Sequence, residues 1–258
     1  MFGLGKSRFP VDGDEVDWLV ACLAWLAREF PGLASATILP DEHFYPPSRL
    51  TGHDRATEVF EQTKAHAGMS NWPCELRAGA PDRERSIALG HALRHHQSAP
   101  LGTFGYADGR YFITYNPTSL AQPQTLVATF AHELAHYLLH TAQTRPPGGA
   151  GLAEHATDMG AIFLGFGIFM ANSAKNFSQF QGGGEQGWEM RGAGYLSENA
   201  LITGLALTVH LTGAEPAAIE RELKSYLRGV FRKALAAVNK TYSDLPATLA
   251  AVDLGEWA

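Results

Sequence analysis

The sequence predicts an α+β fold in which a small mixed-sheet lobe packs on a helical lobe. Three observations lead to this prediction. The first half of the chain carries helical periods that are interrupted by short runs of β-branched and aromatic residues. Asp108-Gly109 lies between two such runs, which is the pattern of a β-hairpin. After Asn116-Pro117 the apolar spacing becomes helical and stays so to the end of the chain.

We expect one domain over 1–258, and its N-terminal lobe, about 1–117, is predicted to contain helices and short strands. The first helix, residues 14–30, has acidic residues in its first turn and an apolar face that includes Trp18 and Trp25. Pro31 and Gly32 end it. The other predicted elements of this lobe are a strand at 36–40, a helix at about 52–68, a strand at 74–79 and the hairpin within 101–117.

The second lobe, about 118–258, is predicted to be helical. Its first helix, residues 124–140, has Leu126, Phe130 and Leu134 on the packing side. A run of prolines and glycines then predicts a loop. The complete order is a helix at 124–140, a loop at 141–151, a helix at 152–174, a glycine-rich loop at 181–194, and helices at 197–211 and 215–239.

Composition excludes several classes of function. A net charge of −6 does not support a nucleic-acid-binding surface, which is normally basic. The apolar runs at 18–27 and 161–171 are too short to span a bilayer, and acidic residues precede the first run where a signal peptide is basic. We therefore expect a soluble, cytoplasmic protein without a nucleic-acid or membrane partner. Cys22 and Cys74 are expected to be free thiols and not metal ligands.

The stretch AHELAHYLLH, residues 131–140, contains the motif HExxH within a predicted helix. His132 and His136 are four residues apart and therefore share one helix face. Two imidazoles in this arrangement can hold one Zn²⁺ with nitrogen–metal distances of about 2.0–2.1 Å. Glu133 lies beside the pair, where it can take a proton from a metal-bound water. The competing interpretation is an amphipathic helix with solvated histidines.

A catalytic zinc site also needs a third protein ligand and an open position for water. The longer pattern HExxHxxGxxH is not met, because Leu139 replaces its glycine and Ala142 its last histidine. Glu154 begins the next predicted helix, and the intervening proline–glycine loop lets the chain turn back towards His136. We therefore predict that Glu154 is the third ligand.

Asp158 lies one helical turn after Glu154 and shares its face. Metal-bound histidines usually donate their second ring N–H to a carboxylate, and Asp158 is predicted to accept it. The alternative is that both acids only favour the positive end of the helix dipole, which does not explain why they enter so apolar a helix. The glycines of this helix indicate either a close approach to the HExxH helix or tolerance in a packed core.

The remaining histidines are predicted to lie outside the metal site. His140 continues the row on the HExxH helix, but it is about 12 Å from His132, too far for both to hold one ion. It is expected to be a neighbour of the site or a solvated residue at the helix end. The cluster of His91, His95 and His96 is interpreted as a surface cluster, with a second metal site as the alternative.

The segment from about 116 to 174 resembles the zincin metallopeptidases of the glutamate-ligand type. AHELAHYLLH followed by EHATDMGAIFLGF is particularly similar to the IrrE-type family of bacterial metallopeptidases, which includes members that cleave phage repressors. The resemblance implies a zincin-like fold, in which one Zn²⁺ is held by His132, His136 and Glu154 and Glu133 is the general base.

The resemblance also implies that an edge strand before the metal helix aligns a peptide substrate, and either 101–106 or 110–116 would supply it. Candidates for a donor to the oxyanion of the transition state are Tyr195, His210 and Arg191, of which Tyr195 and His210 are equally compatible with helix packing. The loop at 181–194 is interpreted as a lid over the cleft or as a plain connector.

Two functions follow as expectations. The first is a zinc-dependent peptidase that hydrolyses peptide bonds in a peptide or protein substrate, with Glu133 as the base that activates the metal-bound water. The second is a non-catalytic zinc module that stabilises a surface for binding a protein or ligand. An open metal position beside an edge strand favours the first, and a fourth ligand from the chain favours the second. The sequence contains no signal for the oligomeric state.

Overall fold

The computed structural model describes residues 8–33, 36–79, 101–180 and 196–257, which form an α+β fold with a small three-stranded sheet. The elements of the described ranges are α1 (Gly13–Glu29), α2 (Gly52–His66), β1 (Glu75–Ala78), β2 (Gly102–Ala107), β3 (Arg110–Tyr115), α3 (Pro123–His140), α4 (Ala153–Ala161), α5 (Gly167–Phe180), α6 (Glu198–Thr212), α7 (Pro216–Glu222), α8 (Ser225–Thr241) and α9 (Leu245–Ala251). None of these helices is both long enough and apolar enough to cross a membrane.

The sheet has the strand order β1-β3-β2, so β3 is central and β2 lies at an edge. β3 pairs with β1 in parallel and with β2 antiparallel. The predicted hairpin is confirmed: Asp108 and Gly109 connect β2 to β3 with φ angles of 51° and 77°. Two left-handed residues in succession form the turn whose twist matches the flanking strands, which explains the Asp-Gly pair.

Helix α3 lies at the centre of the molecule, because it contacts both hairpin strands on one side and α2, α4 and α5 on others. Phe130 packs edge-on against Phe60 of α2 and Tyr115 of β3, with ring centroids 5.3 and 5.9 Å apart. On the α4 side, a Cβ atom added at Gly160 would lie 3.3 Å from the Cβ atom of Ala135. At Gly160 this favours close approach to the HExxH helix over the alternative, tolerance in a packed core.

The predicted single helix at 152–174 is wrong, because it is interrupted between α4 and α5. Gly165 has a φ of 98°, which places it in the left-handed region that glycine alone adopts without strain. Its carbonyl accepts a hydrogen bond of 2.9 Å from the N–H of Ile38. The predicted strand at 36–40 is also wrong, since this segment binds the interrupted helix and does not pair with the sheet.

The predicted helix at 215–239 is wrong in the same way, because Leu223 and Lys224 are extended between α7 and α8, with ψ angles of 142° and 140°. Asn172 of α5 explains the break. Its side chain accepts a hydrogen bond from the N–H of Lys224 and donates one to the carbonyl of Glu222. A buried amide from another helix thus satisfies backbone groups that a continuous helix would pair internally.

Helix α1 is buried along most of its length, as its apolar run predicts, and it contains Cys22. Cys22 and Cys74 are both free thiols, as expected. Helix α9 was not predicted. Arg28 at the end of α1 donates hydrogen bonds to the carbonyls of Leu249, Ala250 and Val252, so one guanidinium group satisfies the last turn of α9.

Candidate metal centre

Three side chains from α3 and α4 converge between the two helices. His132 and His136 lie one turn apart on α3, and Glu154 lies in the first turn of α4. Oε2 of Glu154 is 3.4 Å from Nε2 of His132 and 3.4 Å from Nε2 of His136. The structure therefore brings together the three ligands that the sequence predicts, and their donor atoms all lie within 4.8 Å of one another.

The spacing of these donor atoms fits a metal ion. In a tetrahedral site with bonds of about 2.0–2.1 Å, neighbouring donor atoms are about 3.3–3.4 Å apart. Both contacts between a histidine and Glu154 have this length. Two imidazole nitrogens and one carboxylate oxygen also form a ligand set that suits zinc and several other divalent metals. The group could therefore hold a metal ion.

Asp158 orients His132, as predicted. The Nδ1–H of His132 donates a hydrogen bond of 2.9 Å to Oδ1 of Asp158, and the two side chains are only 2% and 1% exposed. The other oxygen of Asp158 accepts a hydrogen bond of 2.8 Å from the backbone N–H of Leu196. Asp158 thus fixes the ring of His132 and also holds the chain just before α6 against α4.

Thr157 orients His136, and sequence reasoning missed this residue. Its hydroxyl lies 3.3 Å from Nδ1 of His136 and donates its proton to the carbonyl of Ala153 at 3.0 Å. The hydroxyl oxygen must therefore accept the Nδ1–H of His136. Each Nδ1 atom thus has an acceptor of its own, and both Nε2 atoms face Oε2 of Glu154 at 3.4 Å.

The electrostatics of the three ligands favour a positive charge between them. Burial lowers the pKa of His132, but hydrogen bonds to Asp158 and Glu154 outweigh burial and raise the pKa overall. Hydrogen bonds from His132 and His136 hold the pKa of Glu154 well below its usual range, more strongly than burial raises it. The carboxylate therefore stays ionised, and a bound metal cation would take the place of the proton that the histidines otherwise share with it.

Glu133 lies on the other side of the histidines, against strand β2. It is 5% exposed, and its carboxylate accepts a hydrogen bond from the backbone N–H of Phe104. A Cβ atom added at Gly102 would lie 2.9 Å from Oε1 of Glu133 and 2.6 Å from the side chain of Thr129, so glycine is required for this approach. Burial raises the pKa of Glu133, and the charges of His132 and His136 lower it less than burial raises it.

Among the described residues, no strand pairs with the outer edge of β2, and this edge faces the carboxylate of Glu133. The N–H of Asn116 donates a hydrogen bond to the carbonyl of Leu101. Hydrogen-bonded and non-hydrogen-bonded pairs alternate along an antiparallel ladder, so the pair of Phe104 and Ile113 is not hydrogen-bonded. The backbone groups of Phe104 therefore point away from β3. Of the two candidates for an edge strand, 101–106 therefore corresponds to β2, whereas 110–116 corresponds to the central strand and is ruled out.

Helix α1 holds the loop that connects the ligand-bearing helices. The indole N–H groups of Trp18 and Trp25 donate to the carbonyl of Pro147 at 3.0 Å and to the hydroxyl of Thr144 at 2.9 Å. The carboxylate of Glu29 accepts the backbone N–H of Gln143 at 2.7 Å. These contacts fix the reversal of the chain between His136 and Glu154, which the sequence predicts only as a flexible proline–glycine loop.

Compared with models of protein families, with curated protein sequences and with solved structures, the chain matches none of them. The resemblance to metallopeptidases therefore rests on the sequence motif alone.

The structure does not bring His210 to this centre. His210 lies in the last turn of α6, about 18 Å along the helix from its start, and its Nε2 atom is 2.7 Å from the carbonyl of Tyr242. This contact with the chain after α8 indicates a packing role. Tyr195 and Arg191, the other two candidate donors, lie outside the described residues, as do the loop at 181–194 and the cluster of His91, His95 and His96.

The two histidines next to the ligands lie apart from the centre, as predicted. His155 points away from Glu154 and its ring packs edge-on against Trp18, with centroids 6.1 Å apart. His140 is exposed at the end of α3 and contacts the rings of Phe104 and Tyr111 at 6.0 and 5.8 Å. It is therefore a neighbour of the metal centre that belongs to a group of aromatic side chains.

Proposed function

We propose that the protein is a zinc-dependent peptidase that hydrolyses peptide bonds. The observation that carries this proposal is the position of Glu133, which lies between the three metal-ligating side chains and the free edge of β2. A general base is needed where a metal-activated water and a peptide carbonyl meet. Glu133 occupies such a position, and its burial against Gly102 favours the protonated form that a base must reach during the reaction.

His132, His136 and Glu154 would hold the metal, with Asp158 and Thr157 fixing the two imidazole rings. When bound, Zn²⁺ supplies a Lewis acid that lowers the pKa of a water molecule and polarises a carbonyl. Glu133 takes the proton of the attacking water and delivers it to the nitrogen of the leaving amine.

The substrate proposed here is an extended peptide that adds to the edge of β2. Strand addition uses the outward-facing backbone groups of an edge strand, and in β2 these belong to Gly102, Phe104 and Tyr106. The N–H of Phe104 already bonds Glu133, so its carbonyl and the groups of the other two residues are the ones proposed to pair with the peptide. The side chains of His136 and Glu154 are 28% and 38% exposed, whereas that of His132 is 2% exposed. The centre therefore opens to solvent on the side of His136 and Glu154, where water and substrate can enter.

The number of ligands favours a peptidase over a non-catalytic zinc module. Among the described residues, the metal-binding group consists of His132, His136 and Glu154, with no fourth histidine, cysteine or carboxylate. A structural zinc site is normally closed by four protein ligands, whereas a catalytic site keeps one position for water or substrate.

The direct test is a comparison of peptide cleavage by the wild type and by Glu133→Gln, using a peptide mixture prepared from a whole proteome and analysed by mass spectrometry. We expect Glu133→Gln to retain zinc and to lose cleavage by about 100-fold or more, because the amide cannot accept the proton of the water. Equal cleavage by the two proteins at equal zinc content would refute the role of Glu133.

A further inference from the structure

A group of aromatic side chains extends the metal centre along the hairpin. We call Phe104, Tyr106, Tyr111 and His140 the aromatic rim. Phe104 and Tyr106 belong to β2, Tyr111 to β3 and His140 to the end of α3. In a strand, side chains two residues apart point to the same face, so Phe104 and Tyr106 lie on the same side of the hairpin as Gly102, the side that faces α3.

The rings of the rim form one connected layer. Tyr106 is 4.8 Å from Tyr111, and Phe104 is 5.7 Å from Tyr111, measured between ring centroids. Beneath them lies Tyr137, only 4% exposed, at 4.4 Å from Tyr111 and 5.2 Å from Phe104. These separations lie in the range in which aromatic rings attract one another. The layer is therefore held from below, and its outer surface is preformed.

The outer surface of the rim is exposed and continuous with the metal centre. Tyr106 is 63% exposed, which is unusual for a large apolar side chain in a strand that contacts a central helix. His136 and His140 lie one turn apart on the same face of α3, so the surface runs from the metal ligand to the rim without a break. Phe104 joins the two, because its N–H faces Glu133 and its ring belongs to the rim.

The two arginines of the sheet, Arg110 of β3 and Arg77 of β1, are both paired. Arg110 and Arg77 each contact the carboxylate of Glu75 at 2.7 Å. The guanidinium of Arg77 also lies 4.2 Å from the ring of Phe112, on the opposite face of the sheet from Phe104. Among the described residues, the surface of the hairpin next to the metal centre therefore consists of aromatic rings and contains no unpaired arginine.

We propose that the aromatic rim is a substrate subsite that takes the aromatic side chain of a peptide bound along β2. This proposal rests on the proposed peptidase function and adds a specificity to it. Tyr106 is about 7 Å along the strand from Phe104, which is the length of two residues. In the bound peptide, the selected side chain therefore lies about two residues to one side of the peptide unit beside Glu133.

Cleavage of a randomised peptide library by the wild type tests the position. We expect Phe, Tyr or Trp to be enriched at one fixed position, about two residues from the scissile bond. Tyr106→Ser should lower kcat/KM about 10-fold for peptides with an aromatic residue there and leave kcat/KM for peptides with serine there nearly unchanged, since one ring contact contributes a factor of this order. Tyr106→Phe should keep the wild-type preference.

The matched control is Tyr226→Ser. Tyr226 is also exposed, at 46%, but it lies on α8 and donates to Glu198, so its loss should leave the cleavage pattern unchanged. A library without any aromatic enrichment, or an enrichment that persists in Tyr106→Ser, would overturn the subsite.

Binding to the Glu133→Gln variant separates the subsite from the peptidase function. Fluorescence anisotropy of labelled peptides, with phenylalanine or serine at the selected position, should show about 10-fold tighter binding of the phenylalanine peptide in zinc-loaded Glu133→Gln. The additional substitution Tyr106→Ser should remove this difference. Binding that depends on Tyr106 without any hydrolysis by the wild type supports the rim and overturns the peptidase, whereas hydrolysis without a dependence on Tyr106 does the reverse.

Discussion

Two helix pairs of this protein pack equally closely but bury different chemistry. The α3–α4 pair buries His132 and Asp158 between its helices, and α3 also buries Glu133 against β2. All three side chains are ionisable and nearly inaccessible to solvent. The α6–α8 pair is closed by apolar side chains, and α8 contributes Leu227 and Phe231 to it. Charged groups are costly to bury unless each is paired, whereas apolar side chains stabilise a fold by their burial alone.

The difference shows where buried ionisable groups are concentrated in the described part of the molecule. The α6–α8 pair demonstrates that this chain can close a helix interface without buried charge. In the α3–α4 pair each charged group has a specific partner: Asp158 for His132, Glu154 for both histidines, and the N–H of Phe104 for Glu133. Such an arrangement can hold a metal ion, which the apolar α6–α8 pair cannot.

The largest expected effect is on zinc affinity, which should depend on the α3–α4 pair and not on the α6–α8 pair. Glu154→Ala should lower zinc affinity by at least about 100-fold, because it removes one of the three proposed ligands. Losing a residue that only hydrogen-bonds a ligand typically costs about 10- to 100-fold, and the loss of a ligand itself should cost more. Isothermal titration with zinc measures this. The matched control is Glu220→Ala on α7, which removes a carboxylate that pairs with Arg232 of α8. Stoichiometric zinc in Glu154→Ala, at wild-type affinity, contradicts the assignment of the third ligand.

The second prediction concerns the apolar pair. Phe231 is 1% exposed, and Phe231→Ala should lower the free energy of unfolding by about 3–5 kcal/mol, because it leaves a cavity between α6 and α8. Urea denaturation measures the change. Under conditions where the variant is folded, its zinc stoichiometry should equal that of the wild type. A loss of zinc from the folded variant would show that the two pairs are coupled, and the contrast between them would fail.

A smaller effect is expected from the partner of the second histidine. Thr157→Val should weaken zinc binding about 10-fold, because the Nδ1–H of His136 loses its acceptor while the shape of the side chain is kept. Thr157→Ser restores the hydroxyl and should restore the affinity. Competition with a fluorescent chelator gives both values. Equal affinity in the valine and serine variants would mean that the hydroxyl does not orient His136.

The smallest effect is expected at an acid outside the metal centre. Burial, assisted by the charge of Asp12, raises the pKa of Glu15 from its ordinary value of 4.5 to about 7. Between these values the folded protein binds more protons than the unfolded chain, so the stability falls as the pH rises through this window. Glu15→Gln should remove this part of the pH dependence, and melting curves at pH 5 and pH 8 measure it. An unchanged difference between the two pH values contradicts the shift.

The group that could hold a metal could be predicted from the sequence because it depends on local geometry. The helical period alone places His132 and His136 on one face, and a turn of the chain after α3 is enough to return Glu154 to them. Asp158 follows by the same period from Glu154. The hairpin was equally predictable, because the left-handed turn requires residues such as Asp108 and Gly109.

The features that the sequence did not reveal depend on partners that are distant in the chain. The break before α8 is due to Asn172, about fifty residues earlier, and the carbonyl freed at Gly165 is satisfied by Ile38. The role of Thr157 depends on which ring atom of His136 is protonated, and a threonine in a helix has no sequence signal for that. Strand order decides that β2 and not β3 is the edge, and this order is a property of the whole sheet.

The most direct test of the account is a titration of the metal-free protein with Zn²⁺ while hydrolysis of a cleaved peptide is followed. For the wild type we predict that the rate rises with zinc and reaches its maximum at one equivalent. Glu133→Gln should bind one equivalent with similar affinity and stay inactive. Hydrolysis that is independent of zinc, or a zinc-loaded Glu133→Gln that is as active as the wild type, would contradict the assignment of this centre as the catalytic site.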